Sequence, residues 1–109
     1  MPILKAGDVA TVLFVGAAAP KRRPVVVVSS DEYQRHRPDV VVAILTSNLA
    51  AARTPFDYVL QDWTAAGLKQ PSAFRAYLQT DLQAEVTRIG RLSDRDWAEI
   101  RSRVAKAIG

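Results

Sequence analysis

Residues 21–30, KRRPVVVVSS, place three cations and a proline directly before four consecutive valines. Valine is β-branched and favours extended backbone, so residues 25–28 are predicted to form a buried strand. Pro24 suits the entry to such a strand, because its missing N–H need not break a ladder hydrogen bond there. The stretch therefore predicts a buried strand with a dense positive charge at its mouth.

Further apolar runs of strand length lie on both sides of this one. They predict strands at residues 9–15, 40–45, 56–60, 73–77 and 85–89. Gly16 is expected to end the first of these strands. Residues 16–20, GAAAP, predict a loop of small residues between that strand and the cations.

Three segments carry helix signals. Ser29-Ser30 followed by two acids predicts a short helix that ends before Pro38. Residues 62–67 predict a brief helical turn stopped by its final glycine. The longest helix is predicted to begin after Ser93 as its N-cap, with acids in its first turn that favour the helix dipole. Apolar side chains then recur at helical spacing and form one stripe, at Trp97, Ile100, Val104 and Ile108.

Many short strands and one long terminal helix predict a mainly β fold of the α+β class, a small barrel or tightly bent sheet with the helix packed on it. The length of 109 residues suits one domain, which we assign to residues 1–109. Several strands are apolar on both faces. We therefore expect a second copy of the chain to cover one face, which predicts a homodimer.

The amino-acid composition restricts the classes of function that the chain can have. Fifteen Lys and Arg oppose eleven Asp and Glu, and eleven of the fifteen cations are Arg, which favours an anionic partner. The absence of cysteine excludes disulfides and thiolate chemistry, and a single histidine leaves no His-rich metal cluster. The start, MPILKAGDVATVLF, lacks the pattern of a signal peptide, and no apolar run approaches the ~18 residues that span a bilayer. We expect a cytoplasmic protein that does not enter the membrane.

Five short motifs follow one another along nearly the whole chain. They are Gly-Asp-Val at residues 7–9, RPVVVVS at 23–29, LTS at 45–47, AGL at 66–68 with Pro-Ser at 71–72, and IGRLS at 89–93. This succession resembles the MazF/PemK family. The resemblance implies an SH3-like barrel (CcdB/PemK-like) with a C-terminal helix, usually a homodimer. It also implies the toxin of a type II toxin–antitoxin pair, which cuts single-stranded RNA without a metal or other cofactor and is neutralised by an antitoxin protein.

The same resemblance assigns the chemistry to three residues. Arg23 matches the arginine of the family's Arg-Pro motif and would donate two hydrogen bonds to the scissile phosphate. Thr46 matches the threonine after the third strand and would bind the phosphate or the 2′-hydroxyl. Arg75 lies where some PemK-like members carry a functional arginine. The structural alternatives are a solvated cation for Arg23, a turn-forming hydroxyl for Thr46 and an outward strand residue for Arg75.

Three further residues are expected to bind RNA. Ser47 is a second hydroxyl beside Thr46, and Lys21 and Arg22 would follow the RNA backbone, a contact that weakens with salt. The alternative for the two cations is that they only keep a strand end soluble.

The chain departs from the family's pattern at the residues that would transfer protons. Some members have an acid two residues after the arginine at position 75, but Tyr77 stands there. Others carry Glu or His in the loop before Arg-Pro, which here is GAAAP. Asp81 and Glu32 are the nearest acids in sequence, and neither belongs to a motif.

Three functions therefore remain open. The first is an RNA-cleaving toxin, which the Arg-Pro and Thr-Ser motifs favour. The second is a non-cleaving member of the fold that poisons gyrase as CcdB-type toxins do. The third is an RNA-binding regulator that has lost cleavage, and the missing acid keeps this alternative open.

Overall fold

The computed structural model describes residues 4–14 and 20–109 of the chain. Six strands form one antiparallel sheet, in the order β4-β5-β3-β2-β1-β6. The strands are β1 (Asp8–Phe14), β2 (Lys21–Val27), β3 (Asp39–Thr46), β4 (Tyr58–Val59), β5 (Ala73–Leu82) and β6 (Thr87–Arg91). The helices are α1 (Asp31–His36) and α2 (Asp94–Ile108), with short 3-10 turns at Leu49–Ala51 and Gln83–Glu85. The predicted mainly β architecture with a C-terminal helix is confirmed.

The valine run fills both faces of the sheet, because successive side chains of a strand point to opposite sides. Val26 packs with Ile100 of α2 in one core cluster, whereas Val25 and Val27 pack in a second cluster on the other face. Leu4 belongs to that second cluster. The strands are therefore apolar on both faces as expected, but the chain itself buries this second face and no second copy is needed to cover it. The homodimer stays a prediction.

Helix α2 begins as predicted. The hydroxyl of Ser93 accepts a hydrogen bond from the backbone N–H of Asp96. Ile100 is fully buried, and Trp97 and Val104 pack against the same core. The predicted stripe is wrong at its end, because Ile108 is 70% exposed and Val104 is the last residue of α2 that joins the core cluster.

A buried carboxylate joins α2 to the chain between β4 and β5. Asp96 is 0% exposed, and it accepts hydrogen bonds from the Tyr58 hydroxyl at 2.6 Å and from the N–H groups of Gln61 and Asp62 at 3.1 and 2.8 Å. Burial and the hydrogen bond to Asp96 together raise the pKa of Tyr58 to about 12. We call these four residues the Asp96 node.

Several predicted boundaries are corrected. Strand β2 starts at Lys21, so the three cations lie inside the strand and not before it. Strand β4 has only two residues, because the Asp57 carboxylate accepts hydrogen bonds from Arg53 and Thr54 and holds residues 53–57 in a turn. Strand β5 is twice its predicted length and β6 starts two residues late, at Thr87. The predicted end of β1 at Gly16 and the loop that follows lie outside the described residues.

Neither α1 nor α2, the helices of the described segments, is long and apolar enough to cross a membrane.

Candidate active site

A groove opens where the ladder between β2 and β3 ends. Their pairing starts at Val25 opposite Ile44. If this antiparallel register is extended two residues beyond the ladder, Arg23 lies opposite Thr46. Pro24, between Arg23 and Val25, has no backbone N–H, so one hydrogen-bond donor is missing at this end of β2. The two family-matched residues line one opening at this end of the ladder.

Three segments line this groove, which has a volume of about 410 Å³ and which we call the Arg23 groove. Residues 22–24 of β2 form one wall, and the end of β3 with Ser47, residues 45–47, forms the second. Residues 67–70 with Ser72 form the third. Thr11 of β1 and Ile89 of β6 complete the lining. Sequence reasoning missed the third wall, including the cation Lys69, although the Ala-Gly-Leu and Pro-Ser motifs mark its two ends.

Two glycines hold the third wall in place. Gly67 adopts φ of +89°, a left-handed conformation that glycine tolerates without steric cost. A Cβ on Gly90 would collide with the carbonyl oxygen of Ala66, and a Cβ on Gly67 would lie 2.7 Å from the carbonyl oxygen of Ile89. The backbone of the third wall therefore lies directly on β6.

Arg23 and Thr46 both have hydrogen-bonding capacity to spare. Arg23 is exposed, and it makes no ion pair or side-chain hydrogen bond with the described residues. Thr46 accepts a hydrogen bond on its hydroxyl oxygen from the Asn48 N–H at 3.1 Å. That contact orients the Thr46 hydroxyl and leaves its hydrogen available to a further acceptor. Ser47 is exposed on the same wall.

Lys21 and Arg22, the two cations before Arg23, differ from Arg23 and from each other in their contacts. Arg22 donates from Nε to the Thr11 hydroxyl and from Nη2 to the Thr11 carbonyl and the Thr87 hydroxyl, all at 3.0 Å. These contacts tie β2 to β1 and β6, so Arg22 fixes the groove wall. Lys21 is exposed, pairs with Phe14 in the β1–β2 register and does not line the groove.

A family model for the PemK-like, MazF-like toxin of type II toxin–antitoxin systems matches residues 5–108. The chain belongs to this toxin family. No sequence among the curated proteins matches it.

Solved structures share the fold of this toxin over almost its whole length. An endoribonuclease in complex with its cognate antitoxin from a mycobacterial species superposes with a TM-score of 0.76, at 21% identity, over 100% of the toxin chain and 96% of its own. A MazE–MazF structure from Deinococcus radiodurans gives a TM-score of 0.75, at 17% identity, over 99% and 98% of the two chains. The Mycobacterium tuberculosis toxin MazF-mt6 gives 0.70, at 20% identity, over 91% and 94%.

Arg75 of the toxin is not brought together with Arg23 and Thr46. It lines a separate cavity of about 310 Å³ that includes Ala107 of α2. Its guanidinium carbon lies 4.4 Å from the centre of the Tyr77 ring, and Nη2 donates to the Tyr77 hydroxyl at 2.9 Å. Strand β5 has a bulge here, because its register with β3 shifts between Phe74 and Leu78. Bulges re-aim side chains, and this one accompanies the placement of Arg75 outside the Arg23 groove.

No described residue that lines the Arg23 groove has a carboxylate or an imidazole. Asp81 lines a neighbouring cavity that shares only Arg22 with the groove, and Glu32 lies on α1 outside both cavities. Residues 15–19, outside the described part, are Val, Gly and Ala and carry no titratable side chain. The described residues that line the groove therefore offer charge and hydrogen-bond donors, and none of them is a general base of the usual kind.

Proposed function

We propose that this toxin is an endoribonuclease that cuts single-stranded mRNA in the Arg23 groove without a metal or other cofactor. The observation that carries the proposal is that Arg23 and Thr46, each with unused donors, line one opening whose described lining residues include cations and no acids. A phosphodiester is the anionic group that such donors fit best. Membership in the toxin family and the likeness to endoribonuclease structures support it.

The proposed reaction uses the RNA as its own nucleophile. The 2′-hydroxyl oxygen attacks the adjacent phosphorus and the bond from phosphorus to O5′ breaks. The 2′-hydroxyl proton passes to solvent water, and O5′ takes a proton from solvent water. The products are a 2′,3′-cyclic phosphate and a 5′-hydroxyl. The protein then needs only to align the attack and stabilise the charge that gathers on the phosphoryl oxygens.

Each residue of the proposal has a defined task. Arg23 donates two hydrogen bonds to the phosphoryl oxygens, where its charge acts most strongly as the transition state forms. Thr46 donates its hydroxyl hydrogen to the same phosphate, in the orientation set by Asn48. Lys69 and Ser47 bind the flanking RNA, and Arg22 holds the wall that carries Arg23. Arg75 remains a predicted catalytic residue only if the RNA, or a second copy of the toxin, extends to its cavity.

The partners follow from the same proposal. We propose that the toxin acts in the cytoplasm as a homodimer and is neutralised by a cognate antitoxin that covers the Arg23 groove. The structures of a mycobacterial endoribonuclease with its antitoxin and of MazE–MazF support the antitoxin. The gyrase-poison alternative has no supporting observation in the groove.

The test is cleavage of a long single-stranded RNA in EDTA, with mapping of the fragment ends. We expect discrete cuts that leave 2′,3′-cyclic phosphate. The Thr46→Val variant should lose most of the activity because it keeps the shape and removes the hydroxyl, whereas Thr46→Ser should retain it. Intact RNA across many sequences, or equal activity of the valine and serine variants, would refute the proposed mechanism.

A second function, RNA binding without cleavage, is favoured by the lack of a carboxylate or an imidazole in the groove. It predicts salt-sensitive binding of single-stranded RNA that Arg23→Ala weakens, with no fragments at any time. The same RNA samples distinguish the two functions, since binding and cleavage are measured separately.

A further inference from the structure

One residue on the third wall of the Arg23 groove has an unused polar side chain. Gln70 lines the groove and is exposed. Its backbone carbonyl accepts the Ser72 hydroxyl at 2.9 Å, but its side-chain amide has no hydrogen-bond partner among the described residues. The amides of Gln34, Gln79 and Gln83, in contrast, all donate to the chain at 2.7 to 3.2 Å. The Gln70 amide is therefore available to a ligand in the groove.

The backbone that carries Gln70 is held on both sides. Leu68, two residues before it, is only 9% exposed and belongs to the hydrophobic core. Pro71 restricts φ directly after it, and the carbonyl of Ser72 accepts the N–H of Leu60 at 3.0 Å. A ligand that binds the Gln70 amide therefore has only a side chain to order, which lowers the entropic cost of binding.

The lining near Gln70 is apolar and, among the described residues, contains no aromatic ring. Ile89 is 40% exposed in the groove, and Pro24 and Leu68 belong to the same lining. These side chains offer a nucleobase an apolar surface. Stacking on aromatic side chains binds bases with little regard to their identity, and the described lining does not provide it. The contacts that the groove can make with a base edge are hydrogen bonds, which depend on the identity of the base.

A glutamine amide distinguishes bases by its pattern of donors and acceptor. Its oxygen accepts and its NH2 group donates, so it forms two hydrogen bonds with a base edge that has a donor beside an acceptor. Adenine has this pattern on both of its edges, because its N6 amino group lies between N1 and N7. The Hoogsteen edge of guanine has two acceptors, O6 and N7, which suit an arginine instead. Each pyrimidine has the pattern only on its Watson–Crick edge. Adenine is therefore the base that the Gln70 amide fits best.

We infer that Gln70 selects an adenine next to the phosphodiester that the toxin cuts. The inference rests on the endoribonuclease function proposed above and names the base that its groove prefers. Arg23, Thr46 and Gln70 line one groove of about 410 Å³. A base that neighbours a phosphate bound by Arg23 and Thr46 therefore lies within the groove that Gln70 lines. Lys69, directly before Gln70, is the cation proposed to bind the flanking RNA.

Cleavage of an RNA pool of random sequence tests the inference, because sequencing of the fragments identifies the base at each position around the cut. We expect the wild-type toxin to cut about tenfold more often when one fixed position beside the cut is adenine, an effect of the size that a bidentate contact gives. Gln70→Ala should cut without a preference at that position. Gln70→Arg should shift the preference to guanine, because an arginine donates to both O6 and N7.

Gln61→Arg is the matched control for Gln70→Arg. Gln61 is an exposed glutamine that does not line the groove, so this variant should keep the adenine preference. The midpoint of urea denaturation should be the same for the wild type and both Gln70 variants, because the Gln70 amide binds none of the described residues. A residue with a merely structural role would change the amount of cleavage and not the preferred base.

The possible failures are distinguishable. Cleavage with the same base preference in the wild type and both Gln70 variants would overturn the inference and leave the endoribonuclease function standing. Cleavage by the wild type without an adenine preference would do the same. If the RNA stays intact, the endoribonuclease function fails, and sequencing of the RNA that the toxin binds from the same pool decides whether Gln70 reads adenine. Adenine should then be enriched by the wild type and not by Gln70→Ala, and equal enrichment would overturn the inference as well.

Discussion

Asp96 and Arg23 are charged side chains of one small fold, and their surroundings are opposite. Asp96 is completely buried, and three donors from one stretch of chain surround its carboxylate at 2.6 to 3.1 Å. Arg23 is exposed and has no hydrogen-bonding or ionic partner among the described residues. Buried charges need such partners to offset the loss of water, whereas an unpartnered cation beside a groove is available to a ligand. The Asp96 node is therefore assigned to stability and the Arg23 groove to function.

The largest expected effect comes from breaking the Asp96 node. Asp96→Ala empties a fully buried carboxylate site and removes the acceptor of the Tyr58 hydroxyl and of two backbone N–H groups. We therefore expect a loss of about 3–5 kcal/mol in the free energy of unfolding. Urea denaturation measures the loss. Glu99→Ala, three residues along α2, is the control and should cost less than about 1 kcal/mol. Equal losses in the two variants would contradict the assignment of the node to stability.

The next effect tests the groove. Arg23→Ala should lower the rate of RNA cleavage by about 10²–10³-fold, because it removes the charge proposed to act on the transition state. Its free energy of unfolding should stay within about 0.5 kcal/mol of the wild-type value. Single-turnover cleavage and urea denaturation of the same preparation measure both quantities.

Arg22→Ala is the matched control for Arg23→Ala. Arg22 makes three hydrogen bonds to β1 and β6, so its loss should cost about 1–2 kcal/mol of stability. Its effect on cleavage should be smaller than that of Arg23→Ala. If the two variants exchanged these phenotypes, the division between a functional and a structural arginine would be wrong.

The sequence predicted much of this division, and its limits have physical causes. The valine run, the N-cap at Ser93 and the family order of motifs led to the right fold class, because local backbone preference and apolar periodicity decide these features. The family motif distinguished Arg23 from Arg22, but the structural role of Arg22 was not predictable, because only the strand register shows that Arg22 meets Thr11 and Thr87. Asp96 was predicted only as an acid favourable to a helix dipole, because its donors come from residues 34 to 38 positions away.

Arg75 and Lys69 show the same limit at the candidate site. Arg75 matches a family position, but the bulge in β5 accompanies its placement in another cavity, and a bulge leaves no clear mark in the sequence. Lys69 had no motif of its own. It reaches the groove because Gly67 and Gly90 allow two backbones to touch, a contact that joins distant parts of the chain.

A smaller effect is expected in the Arg23 groove, on the binding of RNA by Lys69. Lys69 is the cation on the third wall of the groove, and Lys69→Ala should weaken the binding of single-stranded RNA most at low salt. The slope of log Kd against log salt should fall by about 0.7, the value for one phosphate contact on a single strand. Fluorescence anisotropy at several salt concentrations, with Arg23→Ala present in both proteins to prevent cleavage, measures the slope. Lys106→Ala on α2 should leave it unchanged, and an unchanged slope for Lys69→Ala would remove Lys69 from the RNA path.

The smallest effect concerns the acid side of the stability curve and the ion pair beside the Asp96 node. The hydrogen bonds that Arg95 and Ser93 donate to the Asp62 carboxylate lower its pKa to about 2. Because the pKa of Asp62 in the folded state lies below 3.8, the usual pKa of an aspartate, the stabilisation is present above about pH 4 and is lost as the pH falls toward 2. Asp62→Asn should flatten this part of the stability curve, while Asp94→Asn, beside Arg95 in the first turn of α2, should keep it. The Arg95–Asp62 ion pair is exposed to solvent, so Asp62→Asn should change the free energy of unfolding much less than Asp96→Ala does. An acid slope in Asp62→Asn as steep as that of the wild type would show that other carboxylates account for it, and would leave the buried node as the main electrostatic contact between α2 and the sheet.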